Sequence, residues 1–153
     1  MNAFVQAIVG SGIDAHVVMI SSTDICVPGT LGSGQCPADE KLPAYRHVQE
    51  GVGSTDAFAK ILSTYPKWKD SLRSGATKTI AVISDDDSNM SKDQFVQQLL
   101  ALDPTFAGFK FDAIVASQPP YFNPCLLLSA ARGTEYIDLV AQTQGVYGDL
   151  CLQ

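Results

Sequence analysis

Basic charge is scarce in this chain: ten Lys and Arg face sixteen Asp and Glu among 153 residues, a formal net charge of −6. The ten are scattered. Nucleic acid and anionic membrane surfaces both need clustered cations, so neither is an expected partner. Long apolar runs are missing as well. None approaches the roughly 18 residues of a membrane span, so no membrane insertion is expected. The first residues show neither a basic stretch nor a small-residue cleavage site. They read as an amphipathic helix, with Phe4, Val5 and Ile8 at helical spacing, and not as a signal peptide.

The sequence is equally poor in motifs for covalent chemistry. It has no G-x-S-x-G elbow and no C-x-x-C pair, and no cysteine has a histidine partner at a strand end. The only two histidines, His16 and His47, lie in strand-like segments. Gly32-Ser33-Gly34 sits between cysteines and not between a strand and a helix, so it is no phosphate loop. Trp68 beside Tyr65 reads as core packing.

Four cysteines are present, an even number. Cys26 and Cys36 bracket a Gly/Pro/Ser-rich stretch with no apparent core of its own, and Cys125 and Cys151 lie near the ends of later elements. Cysteines so placed read as two disulfides, Cys26–Cys36 and Cys125–Cys151, and as an oxidising, extracellular or periplasmic compartment. A zinc site is the alternative, but the spacing of the ligands argues against it. A leaderless chain with disulfides is consistent if it is a piece of a longer exported protein.

What the sequence has in quantity is strand and helix alternation. Asp14–Ile20 and Thr79–Ile83 are β-branched runs of buried-strand type, Phe109–Ala116 is a third, and Tyr45–Val52 reads as an edge strand. Residues 21–44 form an irregular insertion. Ser54-Thr55-Asp56 opens a helix carrying Phe58, Ile61, Leu62 and Tyr65, with Pro66 as its expected interruption. Ser91-Lys92-Asp93-Gln94 has the form of a capping box, flanked by Met90 and Phe95 at the staple positions. A last helix covers Thr134–Thr143, with Gly145 expected as the C′ residue, and Val146–Leu152 closes the chain with a short strand. This order predicts one α/β domain over residues 1–153: an open, mostly parallel sheet with helices on both faces.

In such sheets, ligands bind outside the carboxyl ends of the strands. There the run Thr79–Ile83 stops at Ser84-Asp85-Asp86-Asp87-Ser88. Asp85, immediately beyond the buried run, is placed to point into the crevice, and Ser54 and Thr55 occupy the matching loop. Carboxylates and hydroxyls of this kind suit Mg²⁺ or Ca²⁺. The same residue types also serve as caps and turns, and both roles stay open for Asp86, Asp87, Ser54 and Thr55.

These segments together resemble the von Willebrand factor A domain of large exported bacterial proteins. Gly53-Ser54-Thr55-Asp56-Ala57-Phe58 is similar to the family's metal-contacting loop, and Ile80–Asp86 to its strand ending in Thr-Asp-Gly. Gly133–Gly145 is similar to the family's final helix. Asp86 stands where the family has Gly. The chain also starts inside the helix that follows the family's first strand, so Asp-x-Ser-x-Ser, the main ligand set, is not in it. The resemblance implies a three-layer sandwich in strand order 3-2-1-4-5-6 lacking its central strand. Of the metal site only Asp85 and Ser54 or Thr55 carry over.

The function it implies is a non-enzymatic adhesion or protein-interaction module. In intact form it would bind an acidic ligand group through a divalent cation, held weakly by this chain. A metal-dependent hydrolase using Asp85, Asp86 and Asp87 is one alternative, and a structural domain with a decayed metal site is another. Without a central strand, Asp14–Ile20 and Thr79–Ile83 would either pair directly or recruit a strand, for example by self-association.

The cysteine reading predicts that denatured, oxidatively purified protein titrates with almost no free thiol, and that peptide mapping recovers both bridges. The bridge at Cys26 and Cys36 closes a short loop, worth about 2–3 kcal/mol in the chain-entropy model. Four titratable thiols would overturn the pairing.

Overall fold

The β-branched runs become short strands, and every strand pairing is parallel. The structure, a computed structural model, describes residues 6–8, 10–23, 25–37, 39–117 and 129–152. In chain order the elements are β1 (Val17–Ser21), β2 (Tyr45–Gln49), α1 (Ala57–Trp68), β3 (Thr79–Ile83), α2 (Lys92–Leu102), β4 (Lys110–Val115), α3 (Thr134–Thr143) and β5 (Tyr147–Asp149). β1 and β2 form one sheet, and β3, β4 and β5 form another in that order. The direct pairing of the two apolar runs is not made. The protein is an α/β protein with parallel sheets, arranged as two compact units: Met1–Val52 with Ser63–Arg73, and Gly53–Leu62 with Ser74–Gln153.

In the first unit, the Gly/Pro-rich insertion has a core after all, contrary to the sequence reading. Val27 and Leu31 are buried with Tyr45, and Val17, Met19, Ile25 and Ala44 pack against them. The apolar residues of this loop, spaced irregularly among Gly, Pro and polar residues, show no periodic pattern. Asp39, also buried, organises the loop. It accepts hydrogen bonds from the Val27 amide, the Gly34 amide at 3.0 Å and the Ser33 hydroxyl at 3.2 Å. A buried carboxylate needs such donors, because leaving it unpaired is costly. Cys26 and Cys36 are bonded across the same loop, with Cα atoms 5.5 Å apart. Cys125 lies outside the described residues.

Pro66 does not interrupt α1, which runs on to Trp68. A proline this close to a helix end costs one backbone bond in the last turn, where side chains add contacts of their own. The Trp68 indole N–H donates to Thr64 Oγ1 at 3.1 Å, and the Tyr65 and Trp68 rings pack edge to face. Arg46 Nη1 donates to the Lys67 carbonyl at 3.0 Å.

The second unit is built on four fully buried rings, Phe58 from α1, Phe95 from α2, Phe111 from β4 and Tyr136 from α3. Phe58 stacks on Phe95 at 4.2 Å and meets Tyr136 edge-on at 4.9 Å. β4 alternates strictly: Phe111, Ala113 and Val115 are buried, while Lys110, Asp112 and Ile114 are half-buried. In register with them, Ile80 and Val82 of β3 lie on the helix-covered face. Thr79, Ala81 and Ile83 lie on the other, where β3 is exposed, so the expected cover on both faces is not seen there.

The α3 end corrects a second detail. The left-handed residue is Gln144, with φ of 56°, and not Gly145. Glycine is required at 145 for another reason: a Cβ there would stand 1.8 Å from the Phe111 carbonyl oxygen. The helix thus turns straight against the strand it packs on.

Candidate functional site

The candidate residues lie where the carboxyl end of β3 feeds α2, within the second unit. Ser84 follows the last residue of β3. Its hydroxyl donates to the Ser54 carbonyl at 2.9 Å and accepts from the Asp86 amide at 3.2 Å. Asn89 binds the same turn twice. Its amide N–H donates to the Thr55 carbonyl at 2.9 Å, and its Nδ2 donates to Thr55 Oγ1 at 2.7 Å. The structure therefore brings the Gly53–Asp56 turn and the Asp85–Ser88 loop together, as the sequence anticipates.

The three aspartates have different tasks. Asp86 Oδ1 accepts from the Asp87 amide at 2.8 Å. Asp87 Oδ1 accepts from the Ser88 amide and, 48 residues away, from the Glu135 amide, each at 2.9 Å. Glu135 is in the first turn of α3, whose own N-cap is Gly133 and supplies no side chain. Asp87 thus fills the missing cap from another element, at the positive end of the helix dipole.

Glu135 in turn accepts the Lys92 amide of α2 on Oε2 at 2.7 Å. The capping box is present too: the Gln94 amide donates to Ser91 Oγ, and the Ser91 amide donates to Gln94 Oε1, both at 3.3 Å. Each helix entrance is held by a carboxylate from a different segment.

Asp85 stands apart. Its carbonyl accepts from the Ala130 amide at 2.7 Å, but its carboxylate is exposed and bonds nothing among the described residues. Ser54 is exposed, and Thr55 Oγ1 already accepts from Asn89. Neither is the cap of α1. The helix begins at Ala57, and the Lys60 amide bonds the Asp56 carbonyl at 2.9 Å.

As a cation site, the set offers one uncommitted carboxylate and hydroxyl oxygens. Among the described residues, no cluster of three or more His, Cys, Asp or Glu is poised around a metal position. Hard cations take oxygen ligands of this type, but one carboxylate falls short of holding Mg²⁺ or Ca²⁺ firmly.

Sequence reasoning missed Glu135 and the pair Ser117–Asp149 at the neighbouring strand ends. Glu135 looked like an ordinary first-turn acid; only the fold shows that it reaches Lys92. The Ser117 hydroxyl donates to Asp149, and with the Cys151 amide it holds that carboxyl below its usual range.

One further pair, in the first unit, has catalytic residue types: Ser21 Oγ lies 3.0 Å from His47 Nε2. However, Nε2 is also 3.2 Å from the Ser21 carbonyl, which can only accept, and Ser21 Oγ itself donates to the Thr23 carbonyl at 2.9 Å. The ring therefore presents an N–H to the serine. It is not placed to take the serine proton.

Beneath the acidic loop, the Tyr136 hydroxyl is buried and lacks a partner in full hydrogen-bond geometry. Burial pushes its pKa up to about 12. Ser88 beside it pulls the value back, and Asp87, Asp56 and Asp86 add to the rise. The native state thus prefers the neutral phenol, while the unfolded chain ionises near the ordinary 10.0. Stability from this group is complete below that value and is lost as pH climbs towards 12. We expect Tyr136→Phe to flatten the alkaline loss of stability, measured by urea unfolding across this window. Some fall should remain, because Tyr45 and Tyr147 are also raised by burial. An unchanged profile would contradict the assignment.

No family model, curated protein or solved structure matches the chain.

Proposed function

We propose that the chain is a non-enzymatic, exported protein-interaction module of the von Willebrand factor A type. In the intact protein it would recognise an acidic group on its ligand through a divalent cation. The observation that carries this reading is the double tie of Asn89 to Thr55 and the tie of Ser84 to Ser54. These ties hold a hydroxyl-bearing turn against the loop whose one uncommitted carboxylate is Asp85.

The parallel α/β order and the position of the loop at a strand's carboxyl end agree with it. Export is supported by the Cys26–Cys36 bond. Among the described residues, no helix is long and apolar enough to cross a membrane. The hydrolase alternative asks Asp86 and Asp87 to serve a metal or water, yet both spend an oxygen on backbone amides.

A site with one carboxylate and one or two hydroxyls should bind Mg²⁺ or Ca²⁺ only at millimolar concentration or above, as most of the ion's ligands would be water. Isothermal titration of this chain with either ion is expected to give no saturable heat below that range. A micromolar site abolished by Asp85→Ala would mean that more ligands converge here than the geometry provides. Metal-dependent turnover of a phosphoester would favour the hydrolase instead.

A further inference from the structure

We infer that Asn89 is an acceptor for an N-linked oligosaccharide, attached before the loop after β3 closes. The inference rests on the export proposed above, because this transfer takes place outside the cytoplasm. The chain has three asparagines, Asn2, Asn89 and Asn123. Only Asn89 stands in the acceptor pattern N-x-S/T, as Asn89-Met90-Ser91. Asp87, two residues before it, extends the match to Asp-x-Asn-x-Ser, the stricter form that oligosaccharyltransferases of the bacterial type require.

The fold accommodates the product. Asn89 is exposed, in the bend between β3 and α2, where a bulky sugar meets solvent and not core. Transfer is a substitution at C1 of the sugar. Asn89 Nδ2 bonds to C1, the bond from C1 to the phosphate oxygen breaks, and a polyprenyl diphosphate leaves with the electron pair. Nδ2 gives up one proton to a base of the transferase, and nothing is oxidised or reduced. One N–H remains on Nδ2, so the donation to Thr55 Oγ1 at 2.7 Å can be kept in the modified chain.

The same fold sets the order of events. A transferase has to read the side chains of Asp87, Asn89 and Ser91, and in the folded chain all three are engaged. Asp87 Oδ1 accepts the Ser88 and Glu135 amides, each at 2.9 Å. Asn89 is held to Thr55 through both Nδ2 and its backbone amide. Ser91 Oγ accepts the Gln94 amide at 3.3 Å. Thr55 and Glu135 lie 34 and 48 residues from their partners, so neither tie exists until the chain folds. Before folding, Asp87–Ser91 is an open segment. Afterwards it is a capped bend whose acceptor amide is tied, and modification there must wait for a local opening.

The test expresses the whole chain behind an export leader in a bacterium supplied with such a transferase and its polyprenyl-diphosphate oligosaccharide. The intact mass of the periplasmic chain should show one added oligosaccharide, which peptide mapping should place on Asn89. Asn89→Gln and Asp87→Asn should each lose it. If a variant misfolds, mapping of the unaltered chain decides. Purified, folded and unmodified chain offered to the same transferase should be modified several-fold more slowly than Thr55→Val, whose acceptor amide is released. A periplasmic chain without the glycan, or with it on another residue, would overturn the acceptor. Equal transfer to the folded parent and to Thr55→Val would overturn the order of events. Because the leader is supplied, neither outcome bears on export, which the thiol titration tests separately.

Discussion

Two carboxylates at two helix entrances set the shape of the acidic end of the second unit. Asp87 accepts the Glu135 amide of α3, and Glu135 accepts the Lys92 amide of α2. The first amides of a helix have no partner within it, and a buried helix end without one is costly. α3 begins at a glycine that can offer no side chain. Its start therefore depends on the loop after β3, and the start of α2 depends partly on α3. Loop, helices and strand are specified together, and the fixed loop leaves Asp85 as its one outward carboxylate.

This cap network meets the aromatic cluster of Phe58, Phe95, Phe111 and Tyr136 at Tyr136, whose neighbours include Ser88 and Asp87. Edge-to-face and offset contacts between large rings add to what their burial contributes, and these rings come from α1, α2, β4 and α3. The layer fixes where each helix meets the sheet; the caps fix where each helix begins. Tyr136 belongs to both, because its ring is part of the layer and its hydroxyl points towards Ser88 and the aspartates. A neutral, buried phenol under an acidic loop is tolerable only while it keeps its proton.

Much of this was legible in the residues. The runs at Thr79–Ile83 and Thr134–Thr143 form elements at those bounds, and Ser91 with Gln94 makes the capping box that its spacing announces. Local signals of this kind need only neighbouring residues. What escaped the sequence were interactions between distant segments. Glu135 to Lys92, Asp87 to Glu135 and Asp39 to the Val27 amide are long-range or irregular, and no periodicity encodes them. Gly145 shows the same limit. Its position after a helix suggested a left-handed turn, yet what requires it is the approach of the Phe111 carbonyl. For the candidate site, the sequence pointed to two loops that the structure ties together, but it could not divide the aspartates between capping and other roles.

The account turns on Asp87 and Glu135 acting as helix caps and not as ligands. Equilibrium unfolding of Asp87→Ala, Glu135→Ala and the double variant, in chelator and then in excess Mg²⁺, tests this most directly. Each single change should cost about 1 kcal/mol, the usual worth of a helix cap. The double variant should cost less than the sum, because Asp87 holds the first turn of α3 from which Glu135 reaches the start of α2. Neither value should depend on Mg²⁺. Variants that are neutral in chelator and lose stability only relative to a Mg²⁺-stabilised parent would contradict the account, and would make these carboxylates part of an ion site.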